Sequence, residues 1–259
     1  MSEQFVKASR HPSSDAIQIL TIDRPPRNAM SLETYKQLLH HLNEGTLDES
    51  IRCVILTGAG DKAFVSGGDL REHVQLDPQS AAVRTALVRR VGNAIRDHRA
   101  PMIAAVNGFA IGGGMVLMAS CDIIIAAADA KFALSEVKVG ILGGSMHVRR
   151  LVPDKVVRWM ALTGNMVTAD YFHKLGVIQE VVPLDQLMAT AVRTAEEICA
   201  HSALAVSLMK ETLNLTEHMA LDEGYHVECF ATSILKGTPE AKEAAMAALE
   251  KRKPDFSRK

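Results

Sequence analysis

Aromatic residues are scarce in this 259-residue sequence, at 4% with a single Trp. A protein that reads single-stranded bases needs aromatic stacking platforms. The formal net charge of −1 supplies no basic field either. A nucleic-acid partner is therefore not expected. Cysteine is equally sparse. Cys53, Cys121, Cys199 and Cys229 lie far apart, and no pair has metal-ligand spacing. They read as buried, reduced thiols, and no metal site is expected. No apolar stretch reaches the length of a membrane span. The "MSEQFVKASR" start has neither an apolar signal core nor the acid-poor, Arg- and Ser-rich character of a transit peptide, and the closing "SRK" is not a peroxisomal address. A cytoplasmic location without a membrane partner is the expectation. No Gly-Lys-Ser/Thr occurs, which excludes a Walker loop.

What is present is apolar: 47% of residues, enough for a core in one large domain or one and a half. The first half alternates strand-like and helix-like segments. Strand-like runs are 16–22, 51–58, 101–108 and 121–127. Between them, Ser31 can cap a helix with Leu32, Tyr35, Leu38, Leu39 and Leu42 on its inner face. A second helix, over 80–98, turns Val83, Leu87, Val91, Ala94 and Ile95 inward, and a third covers 113–120. Beyond Phe132 helical patterns dominate, at 154–164, 168–175, 185–200, 203–215, 218–236 and 239–250, with one strand at 177–182. The expected division is an α/β core at 1–195 and a helical region at 196–259, packed on its own core or on a neighbouring subunit.

"TGAGDKA" (57–63) has the G-x-G-x-x-A spacing of a dinucleotide loop. The irregular "FVSGGDL" follows it instead of a helix, and Asp77, at the distance of a ribose ligand, lies in a polar loop before Pro78. An NAD site is not expected. Two other glycine-rich turns are better candidates for chemistry: "FVSGGDL" (64–70) and "GFAIGGGMVL" (108–117). Bare backbone admits a ligand close to N–H groups, and a helix start adds unpaired donors. Two such turns side by side can aim one N–H each at a single oxygen, as an oxyanion hole does; each alone can equally serve tight strand–helix packing. In "FALSEVKVGI" (132–141), Glu136 stands among apolar residues, where a carboxyl's pKa rises and the group can act as general acid or base.

In this order these segments resemble the enoyl-CoA hydratase/isomerase (crotonase) superfamily. The resemblance runs from "RPPRNAMS" through "GAGDKAFVSGGDL" and "APMIAAVNGFAIGGGMVLMASCDIIIAAADAKFALSEVKVGI" to "EKRKPDF". It implies an α/β fold, a crotonase-type spiral of ββα units with a C-terminal helical trimerisation region. It implies an acyl-CoA thioester as substrate, coenzyme A entering only as part of that substrate, with no further cofactor, and a homo-trimer or a hexamer of paired trimers. By match, Gly68 and Gly113 supply the N–H donors that hold the thioester oxygen. Lys62 and Ser66 match positions near the adenine, Arg24 and the backbone around Arg27 the entrance for CoA, Arg71 a basic residue near the phosphates, and Lys251 a phosphate-contacting lysine reached across a subunit boundary. Each of these basic side chains can also be an ordinary solvated charge.

Hydratases of this family use two glutamates. One matches Glu136; the other falls at Val116. Valine can neither hold nor activate water. The resemblance with that departure favours double-bond isomerisation with one glutamate as proton shuttle, over hydration or dehydration with a substitute group, decarboxylation, or acyl-CoA binding without turnover. In "GGSMHVRR" (143–150), Met146 and His147 replace residues that are often small in relatives. His147 can serve as a second acid–base group or shape the acyl pocket, with His73 a weaker candidate of the same kind. The pocket walls are expected from 73–95 and 143–160.

Overall fold

The computed structural model describes residues 3–256; the end residues 1–2 and 257–259, which carry part of the targeting-signal reading, lie outside the described residues. Strands β1 (Val6–His11) and β2 (Ser14–Ile22) form an antiparallel hairpin. Helix α1 (Leu32–Leu47) follows. The Ser31 hydroxyl caps it, accepting from the Thr34 N–H at 3.1 Å. Tyr35, Leu38, Leu39 and Leu42 are buried on its inner face, and Leu32 is half-buried.

Three turns then repeat the order strand, strand, helix. The first holds β3 (Cys53–Gly58), β4 (Ala63–Val65), a short helix α2 (Leu70–His73) and α3 (Pro78–Arg96). The second holds β5 (Met102–Val106), β6 (Phe109–Ile111) and α4 (Gly113–Ser120). The third holds β7 (Ile123–Ala127), β8 (Lys131–Ala133), a 3-10 turn at Glu136–Val139, α5 (Ser145–Arg149) and α6 (Asp154–Thr163). Strand β9 (Met166–Thr168), α7 (Ala169–Lys174) and β10 (Glu180–Val182) lead to α8 (Leu187–Cys199). The chain closes with α9 (Ala203–Thr216), α10 (Leu221–Lys236) and α11 (Pro239–Leu249).

Each turn gives its first strand to one sheet and its second to another. The sheets run β1-β2-β3-β5-β7-β10 and β4-β6-β8-β9. Pairing is parallel except at β1/β2 and β8/β9. This is the expected spiral of ββα units. The long first strands are buried on both faces, as parallel strands covered by other elements must be. One apolar cluster gathers between the sheets and helices α1, α3 and α4. A second lies on the opposite face of the six-stranded sheet, where Ile17, Ile55, Ile103 and Ile125 meet Leu187, Ala191 and Ala195 of α8. The expected division at residue 195 falls inside α8. The helical region is tied to the core through Lys210 of α9, whose ammonium meets the Asp122 carboxylate at 2.8 Å and the Ile95 and Ala100 carbonyls at 3.3 Å each.

Several expectations need correction. Helix α3 begins at Pro78. That is two residues before the expected start at 80, and Asp77 is its cap, accepting from the Gln79 and Ser80 N–H groups at 2.7 and 3.0 Å. Val83 is 61% exposed, because the inner face of α3 starts further along, at Leu87 and Val91. The strand expected at 177–182 spans only β10. All four cysteines are free thiols, but Cys199 is only half-buried and Cys229 is exposed on α10, a helix with no buried residue of its own in this chain. No helix among the described residues is long and apolar enough to cross a membrane.

Candidate active site

Gly68, Gly113 and Glu136 follow the ends of β4, β6 and β8 by three, two and three residues. Those strands are adjacent and parallel, so their C-terminal ends deliver the three residues to one edge. The Gly112 N–H donates to the Ala133 carbonyl at 3.0 Å, locking the second loop to the third. Around Gly68, Met30 donates to the Gly67 carbonyl at 2.8 Å, and Asp69 donates to the Met30 carbonyl at 3.0 Å. Neighbouring groups are thus engaged, while the Gly68 N–H has no partner among the described residues. Gly113 is the first residue of α4, where an N–H has no intrahelical acceptor and the helix dipole is positive. The arrangement leaves the Gly68 and Gly113 N–H groups without acceptors among the described residues.

Glu136 opens the 3-10 turn. A Cβ on Gly112 would stand 2.7 Å from Glu136 Oε1, and one on Gly143 2.8 Å from it. Gly112 also has φ +54°, which favours glycine. The carboxylate is therefore walled by bare backbone on two sides. Glu136 Oε2 is buried with no hydrogen-bond partner among the described residues. Desolvation pushes the Glu136 carboxyl above the usual carboxylate range, against a lowering by its own backbone N–H. A desolvated carboxyl with one oxygen unpartnered is suited to accept and return a proton.

Val116 is buried on α4. Its methyls lie 3.2 Å from the position of a Cβ on Gly144 and 3.6 Å from that of one on Gly92. His147 reaches the same place from α5, with Cε1 3.4 Å from the Cβ position of Gly92 and Nδ1 3.3 Å from Ser120 Oγ. Burial, with Arg150 and Arg96 nearby, lowers the His147 pKa against a raising by Glu217. Met146 is 68% exposed on the same short helix.

Two side chains complete the setting that pattern reading assigned elsewhere or passed over. Tyr35 belongs to the apolar stripe of α1, yet its hydroxyl lies 2.5 Å from the position a Cβ on Gly113 would take. Arg84 of α3 brings Nη2 within 2.8 Å of the corresponding position at Gly68. Its guanidinium also lies over the Tyr35 ring, 5.7 Å from the centroid, and bonds Glu72 Oε2 at 2.7 Å and the Met30 carbonyl at 3.0 Å. A charged residue sharing a helix face with Val83 and Leu87 was the only signal for Arg84.

The other expected residues are placed as follows. Arg24 bonds Asp69 Oδ2 at 2.6 Å and the Ala29 carbonyl at 2.9 Å, so it braces the loop carrying Gly68. The Arg27 carbonyl accepts from the Ser66 N–H at 3.2 Å, and the Lys62 carbonyl from the Phe109 N–H at 3.1 Å; both basic side chains are exposed. Arg71 is exposed on α2, where its N–H donates to Asp69 Oδ1 at 2.9 Å. His73 is half-buried at the end of that helix. Lys251 is exposed beyond α11, with φ +54°. A cavity of about 550 Å³ lies apart from all of these, lined by His98, Arg99, Lys210 and Asn214 among others. The Lys210 ammonium in its wall is already paired with Asp122 at 2.8 Å.

The family model described as Enoyl-CoA hydratase/isomerase matches residues 13–259. The Short-chain-enoyl-CoA hydratase of Clostridium acetobutylicum is 34% identical over 241 residues, 92% of each chain. The 2,3-dehydroadipyl-CoA hydratase of Escherichia coli is 32% identical over 260 residues, 99% of each chain. Among solved structures, an enoyl-CoA hydratase from Bacillus anthracis superposes with a TM-score of 0.94 at 28% identity, covering 99% of this chain and 100% of its own. One from Mycobacterium smegmatis gives 0.93 at 30% identity, covering 98% and 99%.

Proposed function

We propose, from the premise that this chain belongs to the enoyl-CoA hydratase/isomerase family, that it shifts the double bond of an enoyl-CoA through a thioester enolate. It is an acyl-CoA enzyme of that family; the isomerisation is our reading. The observation that carries it is the desolvated carboxylate of Glu136, its Oε2 buried without a partner, with Val116 in place of a second carboxylate. The thioester oxygen lies between the N–H groups of Gly68 and Gly113. Glu136 takes a proton from C2, the C–H pair delocalises onto the oxygen, and the same carboxyl returns the proton to C4. One carboxylate suffices for that sequence.

Hydration or dehydration is the second reading. It is favoured by the names of the relatives, which are hydratases, and by the Ser120–His147 pair beside Val116, which can hold a water. A panel of 2-enoyl-, 3-enoyl- and 3-hydroxyacyl-CoA esters separates the readings. Conversion of 3-enoyl to 2-enoyl ester without 3-hydroxy product is expected. Hydroxy product at a comparable rate would establish the second reading, loss of CO2 from a carboxylated acyl-CoA a decarboxylase, and binding without turnover a binding protein. Glu136→Gln is expected to abolish exchange of the C2 proton in deuterated buffer; exchange at the wild-type rate would overturn the role given to Glu136.

Arg24, Arg27, Lys62, Ser66 and Arg71 border the loops around Gly68 and form the proposed CoA approach. Lys251 is proposed to serve a neighbouring subunit in a trimer or a pair of trimers. The exposed Tyr225, Phe230 and Ile234 of α10 support assembly of that kind. Coenzyme A enters with the substrate, and this chemistry calls for no resident cofactor. A cytoplasmic location remains part of the proposal.

A further inference from the structure

Tyr35 is 2% exposed, and its hydroxyl has no hydrogen-bond partner among the described residues. The ring is enclosed, while the hydroxyl oxygen itself keeps a little exposed surface. The hydroxyl lies against Gly113, at the place a Cβ would fill, on the residue whose N–H is the proposed donor to the thioester oxygen. Its ring is held by the Arg84 guanidinium, which stands in the same relation to Gly68. Each backbone donor is flanked by a side chain that can only donate or can donate: a guanidinium at one, a phenol at the other. Arg84 is already bonded to Glu72 and the Met30 carbonyl, whereas the phenol is unspent.

We propose that the Tyr35 hydroxyl is a third hydrogen-bond donor to the substrate's thioester oxygen, strengthened by the neighbouring Arg84 charge. The proposal rests on the enolate reading above. When the C2–H bond breaks, its pair moves to the thioester oxygen and its proton to Glu136. Tyr35 keeps its own proton and shares it with that oxygen. Burial supports this role, pushing the phenol up to about 12, so that it stays protonated throughout the working range; Arg84 pulls the other way and Glu136 adds to the rise.

The test uses acetoacetyl-CoA, whose bound enolate is read directly by its ultraviolet absorbance. Wild type should bind it and raise its enolate fraction. Tyr35→Phe should bind with little change in Kd and in Tm, while the enolisation constant falls on the order of 100-fold. C2 exchange should lose kcat to a similar extent with KM nearly unchanged. An unchanged enolate fraction in Tyr35→Phe, or a loss confined to binding and stability, overturns the proposal. Wild type that binds the ester without enolising it overturns the enolate reading itself, and this proposal with it.

Discussion

A methyl group on residue 143 would stand 2.8 Å from Oε1 of Glu136: the carboxylate and the Gly143 backbone fill the space between them. The obstructing atom is the free end of a side chain, which can swing away. Gly143→Ala is therefore expected to move the carboxylate rather than unfold the protein, lowering C2 exchange about 100-fold or more with a small change in Tm. Gly114→Ala is the contrast, because there the obstacle is the Val65 carbonyl of the rigid strand β4. It should destabilise by about 1–3 kcal/mol in denaturant unfolding. Equal effects of the two on stability would contradict this packing.

The raised pKa of Glu136 fixes the sign of two pH effects. In the proposed mechanism the carboxylate is the base, so C2 exchange should fall as pH drops through a midpoint above the ordinary carboxylate value of about 4.3. Stability runs the other way. A carboxyl whose folded pKa is raised favours the fold when protonated and opposes it as pH rises through that pKa. Glu136→Gln should therefore melt higher than wild type near neutral pH, and the gap should close below pH 4. Thermal unfolding across pH 3–8 measures this, and a gap that widens on acidification would reject it.

Installing the absent carboxylate tests the meaning of Val116. Val116→Glu should introduce hydration of 2-enoyl-CoA and raise the midpoint of the exchange profile, since like charges oppose ionisation. Burying the new group should also cost about 1–3 kcal/mol. A variant that folds and exchanges C2 protons, yet hydrates no better than wild type, would show that position 116 does not set the reaction.

The ion pair between α9 and the core carries a purely structural expectation. Lys210 has a side chain only 6% exposed, and Asp122 Oδ2 also accepts from the Met102 N–H at 2.7 Å. Asp122→Ala leaves a buried ammonium without its counter-ion, which costs about 3 kcal/mol. Urea unfolding of this variant measures that loss, and Lys210→Met paired with it should recover much of the stability.

The sheet with long strands was legible because runs of four or more consecutive apolar residues announce the buried strands β3, β5 and β7. The other sheet was not. Ala63–Val65, Phe109–Ile111 and Lys131–Ala133 are three residues each, too short for any period to register. Gly68, Gly113 and Glu136 could be named from their motifs, but their meeting at one edge follows from those short strands. Tyr35 shows a different limit. Helical spacing correctly placed its ring in the core, yet spacing carries nothing about where an atom six bonds from the backbone emerges. Val83 failed for a related reason: an apolar residue near a helix start fits the stripe whether or not a neighbour covers it.

Because β4, β6 and β8 come from successive turns of the coil, no contiguous segment of the chain owns the site. A fragment holding one turn has a donor or a base, never both. In the proposed reaction, turnover is thus a readout of assembly: it needs three separately formed loops in register, and a slip of one residue between any two of those strands is expected to silence it while leaving most of the core intact.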